Sequence, residues 1–164
     1  MKQVEAISKK IYKLPELVAV VKGWKTTGKT VAFSNGCFDI LHEGHIFSLS
    51  QAAKEADRLI IGVNSDASTK RLKGEGRPIN NEQSRALLLA SLAIVDAVVI
   101  FEEDTPLELI SALLPDVIVK GGDYTLEQIV GAKEVIANGG RVVINKIVDG
   151  FSTTGIIAKI RTLG

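Results

Sequence analysis

A chain of 164 residues with 46% hydrophobic and 24% charged side chains suits one domain with a proper core and excludes a disordered polymer. With 20 basic and 19 acidic side chains the net charge is +1, so no global field favours nucleic acid or an anionic membrane, and any anion site has to be built locally. The lone Cys37 excludes an internal disulfide, and with no membrane-length apolar run and no apolar signal core in MKQVEAISKKIYK a cytoplasmic protein is expected.

Taken in order, Val4, Ile7, Ile11, Leu14, Leu17, Val18 and Val21 recur at helical spacing and predict one or two amphipathic helices interrupted at Pro15. Their apolar stripe points to a homodimer or higher homo-oligomer. TVAFSNG (30–36) reads as a short strand, IFSLSQAAKEA (46–56) as a helix and RLIIGVNSD (58–66) as a buried strand. NEQSRALLLASLAIV (81–95) predicts a helix capped near Asn80 or Asn81. Strand AVVIFE (97–102) and helix TPLELISALL (105–114), with Pro106 near its first turn, follow. DVIVKGGD (116–123) is a strand running into a glycine turn, and LEQIVGAKEVIANGG (126–140) a helix stopped by glycines. RVVINKIV (141–148) is the last strand and STTGIIAKIRTL (152–163) the last helix. Alternation of this kind implies an α/β fold: a doubly wound, Rossmann-like parallel sheet of about five strands with helices on both faces. That domain is expected over residues 29–164, with a helical extension over 1–28.

GWKTTGKT (23–30) fits the spelling of a P-loop. A P-loop needs a strand before it and a helix N-terminus after it, because the helix N–H groups hold the phosphates. Here a helical pattern precedes and a strand follows, so the segment is read as a connector.

Ligands of doubly wound sheets sit beyond the carboxyl ends of the strands. Those ends read SNGCFDILHEGH (34–45), NSDASTKRLKGEGRP (64–78), FEEDT (101–105), KGGDY (120–124) and DGFSTTG (149–155), all polar, charged or glycine-rich, as a site for an anionic ligand requires. His42 and His45, the only histidines, are three apart at a helix start and can share one face, and Gly44 lets a ligand approach the backbone. With the helix N-terminus beneath them they can grip phosphate oxygens. No third histidine or second cysteine completes a metal site, so none is expected. Ser152, Thr153 and Thr154 open another helix and offer hydroxyls and N–H groups, either to a phosphate or simply as an N-cap. The stretch with Lys70, Arg71, Lys73 and Arg77 reads as a basic loop, solvated or closing over an anionic second substrate.

The set SNGCFDILHEGH, NSDASTKRLKGEGRP, VKGGDY and DGFSTT resembles the HxGH nucleotidylyltransferase superfamily, and within it the heptose 1-phosphate adenylyltransferase module that is fused to a heptose kinase in many bacteria. The resemblance runs from about residue 29 to the end. It implies transfer of AMP from ATP to D-glycero-β-D-manno-heptose 1-phosphate, giving ADP-heptose and pyrophosphate, with Mg²⁺ carried mainly by the nucleotide phosphates. The product would feed lipopolysaccharide core or surface glycan synthesis.

By the same resemblance His42 and His45 lie on the ATP phosphates, and Lys73, Arg77 and Arg85 balance phosphate charge. Asn35, Gly36, Cys37, Phe38 and Gly44 lie beside the nucleotide. Lys120, Gly122 and Asp123 approach ribose and adenine, Ser152 to Thr154 the phosphates, and Asp39, Asn64 and Asp66 the sugar. Two other readings stay open: a cytidylyltransferase using CTP and glycerol 3-phosphate or a similar polyol phosphate, and a nucleotide-binding module without catalysis.

Overall fold

The computed structural model describes residues 4–147 and 150–163. Lys2 and Gln3 of the expected first helix, Val148 of the expected last strand and Asp149 of the DGFSTTG stretch lie outside them.

Among the described residues six strands form one all-parallel sheet: β1 (Ile11–Tyr12), β2 (Val31–Gly36), β3 (Arg58–Asn64), β4 (Ala97–Phe101), β5 (Val117–Gly121) and β6 (Arg141–Asn145). Their order is β1-β4-β3-β2-β5-β6, so the chain reverses direction across the sheet between β2 and β5. The helices are α1 (Leu14–Thr26), α2 (Glu43–Ala53), α3 (Asp66–Lys73), α4 (Glu82–Ala90), α5 (Leu107–Leu113), α6 (Ala132–Ala137) and α7 (Thr153–Arg161).

Strand side chains alternate between two cores, as a sheet covered on both faces requires. Phe33, Ile60, Val99 and Ile118 meet Leu17 and Val21 of α1, Leu109 and Ile110 of α5, and Val135 of α6. On the opposite face Ala32, Leu59, Ile61, Val98 and Val119 meet Leu49 of α2 with Ala86 and Leu89 of α4. The doubly wound α/β expectation holds, with one more strand than anticipated.

The extra strand comes from the N-terminal segment, where helix alone was expected. Val4–Ala6 and Ser8–Lys10 are single 3₁₀ turns, and β1 pairs with β4 through Ile11–Val98 and Tyr12–Val99. Pro15 stands in the first turn of α1, where its missing N–H leaves no bond unmade, instead of interrupting a helix. The apolar stripe of α1 that pointed to self-association is buried in the chain's own core, with Leu17 at 0% and Val21 at 3% exposure. GWKTTGKT is the end of α1, a left-handed turn at Gly28 and the entry to β2, so no helix N-terminus faces it.

Two further expectations change. The basic stretch is partly helical, since α3 carries Lys70, Arg71 and Lys73 and ends at Gly74, whose φ of +92° suits glycine. The helix expected over 126–140 is broken into a 3₁₀ turn, Leu126–Gln128, and α6. Gly131, at φ +82°, turns the chain there, and a Cβ on it would come within 2.7 Å of the Ile110 side chain. Among the described residues no helix is long and apolar enough to cross a membrane.

Candidate active site

A cleft of about 780 Å³ opens over the carboxyl ends of β2 to β6, centred on the point where the sheet reverses order. Its floor is the β2 end. Phe38 adopts φ +48°, unusual for a side chain of that size, and turns its ring edge-on to His45 with centroids 5.4 Å apart. Gly36 makes room for it, as a Cβ there would meet the Phe38 ring at 3.1 Å.

His42 is the N-cap of α2 and His45 lies in its first turn, stacked ring on ring with a centroid separation of 3.8 Å. No side chain caps α2, so the first N–H groups of the helix stay open to a ligand. Both Nδ1 atoms are buried without a hydrogen-bond partner among the described residues. Burial pushes the His45 pKa down to about 4, helped by the neighbouring His42, and burial also lowers that of His42. Burial therefore favours neutral rings at pH 7, and an anion placed against them would draw protons onto them. Phe151 stacks on the far side of His42 at 6.3 Å. Gly44 lies between, where a Cβ would come within 2.9 Å of Phe151.

Lys120, at the end of β5, donates to Asn35 Oδ1 at 3.2 Å and lies over the Tyr124 ring. Burial lowers its pKa, so the ammonium stands in the cleft underprovided with negative charge. On α7, Ser152 Oγ accepts from Gly155 N at 2.9 Å. That hydroxyl serves as the N-cap, and Thr153 and Thr154 are left beside it on the cleft wall.

Of the residues singled out from the sequence, the cleft is lined by Asn35, Gly36, Cys37, Phe38, His42, Gly44 and His45, with Asn64, Lys73, Arg77, Lys120 and Ser152 to Thr154. Four expectations need correction. Arg85 is 0% exposed and is no cleft cation. Its guanidinium donates to the carbonyls of Cys37, Asn64 and Asn80 and to Asp66 Oδ1, at 2.6–2.9 Å. Asp66, expected to face the sugar, is the acidic partner of that brace and lies off the cleft lining.

Asp39 reaches the lining, but its carboxylate accepts from Arg77 Nε and from the N–H groups of Ile79 and Asn80, which leaves little of it for a sugar. Burial raises its pKa, and the Asn80 and Ile79 N–H groups with Arg77 outweigh that and hold it below the usual carboxylate value. Gly122 and Asp123 also lie off the lining. Gly122 turns at φ +128°, with its N–H donated to Asn145 O, and Gly121 and Tyr124 reach the cleft in their place.

The sequence reading placed Asp104 and Thr105 only within the FEEDT strand end, with no role of their own, and passed over Lys146; all three line the cleft. The available signal was position: each stands at the carboxyl end of a strand. Among the described residues no three His, Cys, Asp or Glu side chains gather to hold a metal ion.

Comparison with known proteins gives three concordant results. Residues 33–159 match the family described as cytidylyltransferase-like. The bifunctional protein HldE of Mesorhizobium japonicum is 59% identical over 142 residues, 87% of this chain and 29% of that protein. The HldE of Rhodospirillum rubrum is 51% identical over 158 residues, 96% of this chain and 32% of that protein. The chain thus spans less than a third of the length of these relatives.

Among solved structures, the lipopolysaccharide core biosynthesis protein from Thermoplasma volcanium is 32% identical with a TM-score of 0.59, covering 74% of this chain and 98% of that one. Pantoate-beta-alanine ligase from Francisella tularensis, solved with β,γ-ATP and β-alanine, shares the fold alone: 13% identity, TM-score 0.60, 92% of this chain and 76% of that one. Since the match over residues 33–159 takes in every residue of the cleft lining, the chain belongs to the cytidylyltransferase-like family.

Proposed function

We propose that the chain transfers AMP from ATP to D-glycero-β-D-manno-heptose 1-phosphate, releasing pyrophosphate and giving ADP-heptose for lipopolysaccharide core or surface glycan synthesis. The observation that carries the reading is the stacked His42–His45 pair at the uncapped start of α2, inside a cleft lined by Lys73, Arg77, Lys120 and Lys146. A cleft rich in cations suits a reaction whose nucleophile is already an anion. The choice of heptose rests on the motif set and on similarity to one segment of the HldE proteins and to the lipopolysaccharide core biosynthesis protein.

The sugar phosphate is mostly dianionic near neutral pH, with a second pKa of about 6, so no general base is required. One of its oxygens bonds to the α-phosphorus of ATP. The bond from that phosphorus to the bridging oxygen breaks, and its electron pair leaves with pyrophosphate. His42, His45 and the α2 N–H groups hold the phosphates in line and balance charge as it moves toward the leaving group. Lys120 and Asn35 lie on the nucleoside side, with Lys73 and Arg77 opposite. Mg²⁺ would enter as part of the MgATP complex, held mainly by the nucleotide phosphates, and would neutralise charge on the leaving pyrophosphate.

The test is pyrophosphate release, crossing ATP, CTP, GTP and UTP with heptose 1-phosphate and glycerol 3-phosphate. Release with ATP and heptose 1-phosphate is expected. Release with CTP and glycerol 3-phosphate would move the protein to the polyol reading that its family name favours. Silence in every pairing would leave a nucleotide-binding module.

A further inference from the structure

In the reaction proposed above the nucleotide would occupy only part of this cleft. With the triphosphate at α2, at the switch point, the nucleoside extends over β5 and β6, where Lys120 and Tyr124 stand. The β3–β4 side then faces the second substrate.

That side is a tied wall. Asn64 Nδ2 donates to Ser68 Oγ at 3.0 Å, and Ser68 Oγ donates to Glu103 O at 3.0 Å. Arg71 Nη2 donates to Glu102 O at 2.5 Å, and Arg71 Nε to Asp104 Oδ1 at 2.7 Å. These bonds fasten α3 to the segment after β4 and hold Asp104 by one oxygen. Its other oxygen accepts nothing among the described residues, and the side chain, 56% exposed, stands on the cleft lining. Thr105 follows it on the lining, with a hydroxyl that makes no hydrogen bond among the described residues. Lys73, without an ion-pair partner among the described residues, and Arg77, held only through Nε, share the same cleft.

A carboxylate near an anion's subsite repels the anion, so its presence favours only a ligand that also brings donors to it. A sugar phosphate does both: the cations take the phosphate and the carboxylate takes hydroxyls.

We propose that Asp104, positioned by Arg71, and Thr105 read the hydroxyl groups of the acceptor, so that this wall selects a polyhydroxylated phosphate over a simple one. The inference rests on the reaction proposed above and adds residues that its motifs do not name. The experiment measures pyrophosphate release with ATP and heptose 1-phosphate, and in parallel calorimetric binding of heptose 1-phosphate alone, for the wild type, Asp104→Asn and Thr105→Val.

Asp104→Asn retains an oxygen for Arg71 and loses the acceptor. Its KM and Kd for heptose 1-phosphate should rise about 10- to 100-fold while KM for ATP stays within about twofold, and Thr105→Val should show a smaller rise. Unchanged sugar-phosphate binding in Asp104→Asn, or an equal rise for ATP, overturns the proposal in favour of a merely structural Arg71–Asp104 pair. A wild type that binds heptose 1-phosphate but releases no pyrophosphate sinks the proposed reaction and keeps the subsite if Asp104→Asn weakens that binding. A wild type that does not bind it overturns both.

Discussion

His45 is kept neutral by burial and by the neighbouring His42, with a pKa of about 4. Replacing it with alanine removes a charge-stabilising group from the phosphates while leaving the apolar core intact. Turnover should fall about 10²- to 10³-fold with an unchanged thermal midpoint, and normal turnover would remove His45 from the mechanism. The same burial makes stability depend on pH. An unfolded chain takes up a proton on this histidine near 6.5, whereas the folded one resists until about 4. Between those values the unfolded state binds more protons, so stability falls as pH drops through the window and then levels. Asp39, whose pKa is lowered from 3.8, loses its contribution only below that value, so the two effects separate. Bound ATP favours the imidazolium and should flatten the slope. Melts from pH 7 to 4 with and without ATP check this, and a slope that ATP leaves unchanged would mean the nucleotide does not reach the histidines.

Arg85 links elements rather than touching a ligand. Its buried guanidinium ties the loop after β2 at Cys37 to the end of β3 at Asn64 and to the turn at Asn80 before α4, so the cleft floor depends on it. Arg85→Met leaves three carbonyls without their donor and should cost about 3 kcal/mol in denaturant unfolding. Arg85→Lys should rescue little, because one ammonium cannot span the fork. A variant as stable as the wild type but inactive would return Arg85 to a phosphate-binding role.

The sequence could not distinguish this brace from a cleft cation. Both are arginines near a strand end, and burial follows from the folded path of three loops. Legible features were those with local causes. Apolar runs showed five of the six strands, and apolar periodicity placed the starts of α2, α4, α5 and α7 to within three residues, whereas α1 was expected to begin near residue 2 and to break at Pro15. HEGH announced a helix start, and the structure adds that no side chain caps it. The break at Gly131 escaped because its cause is the distant Ile110, and β1 escaped because a two-residue strand has no period to detect.

The N-terminal segment closes the sheet. Without Ile11 and Tyr12 the β4 backbone would present an open edge, and such edges recruit other chains. Lys10 fastens the segment by donating to the carbonyls of Leu92 and Val95 beyond the end of α4, at 3.3 and 2.7 Å, and Ile7 and Ile11 pack against the core on that face. Every residue of the cleft lining lies C-terminal to this segment, so its role is to complete and shield the sheet rather than to hold substrate. Removing residues 1–13 should therefore lower stability by about 2–3 kcal/mol, roughly the burial of the two isoleucines. Turnover per folded molecule should stay within about twofold at low protein concentration, and association should appear as concentration rises. Chemical denaturation, initial rates and light scattering across a dilution series separate these effects. Loss of turnover in a truncated protein that remains folded and monomeric would show that the segment acts on the site itself.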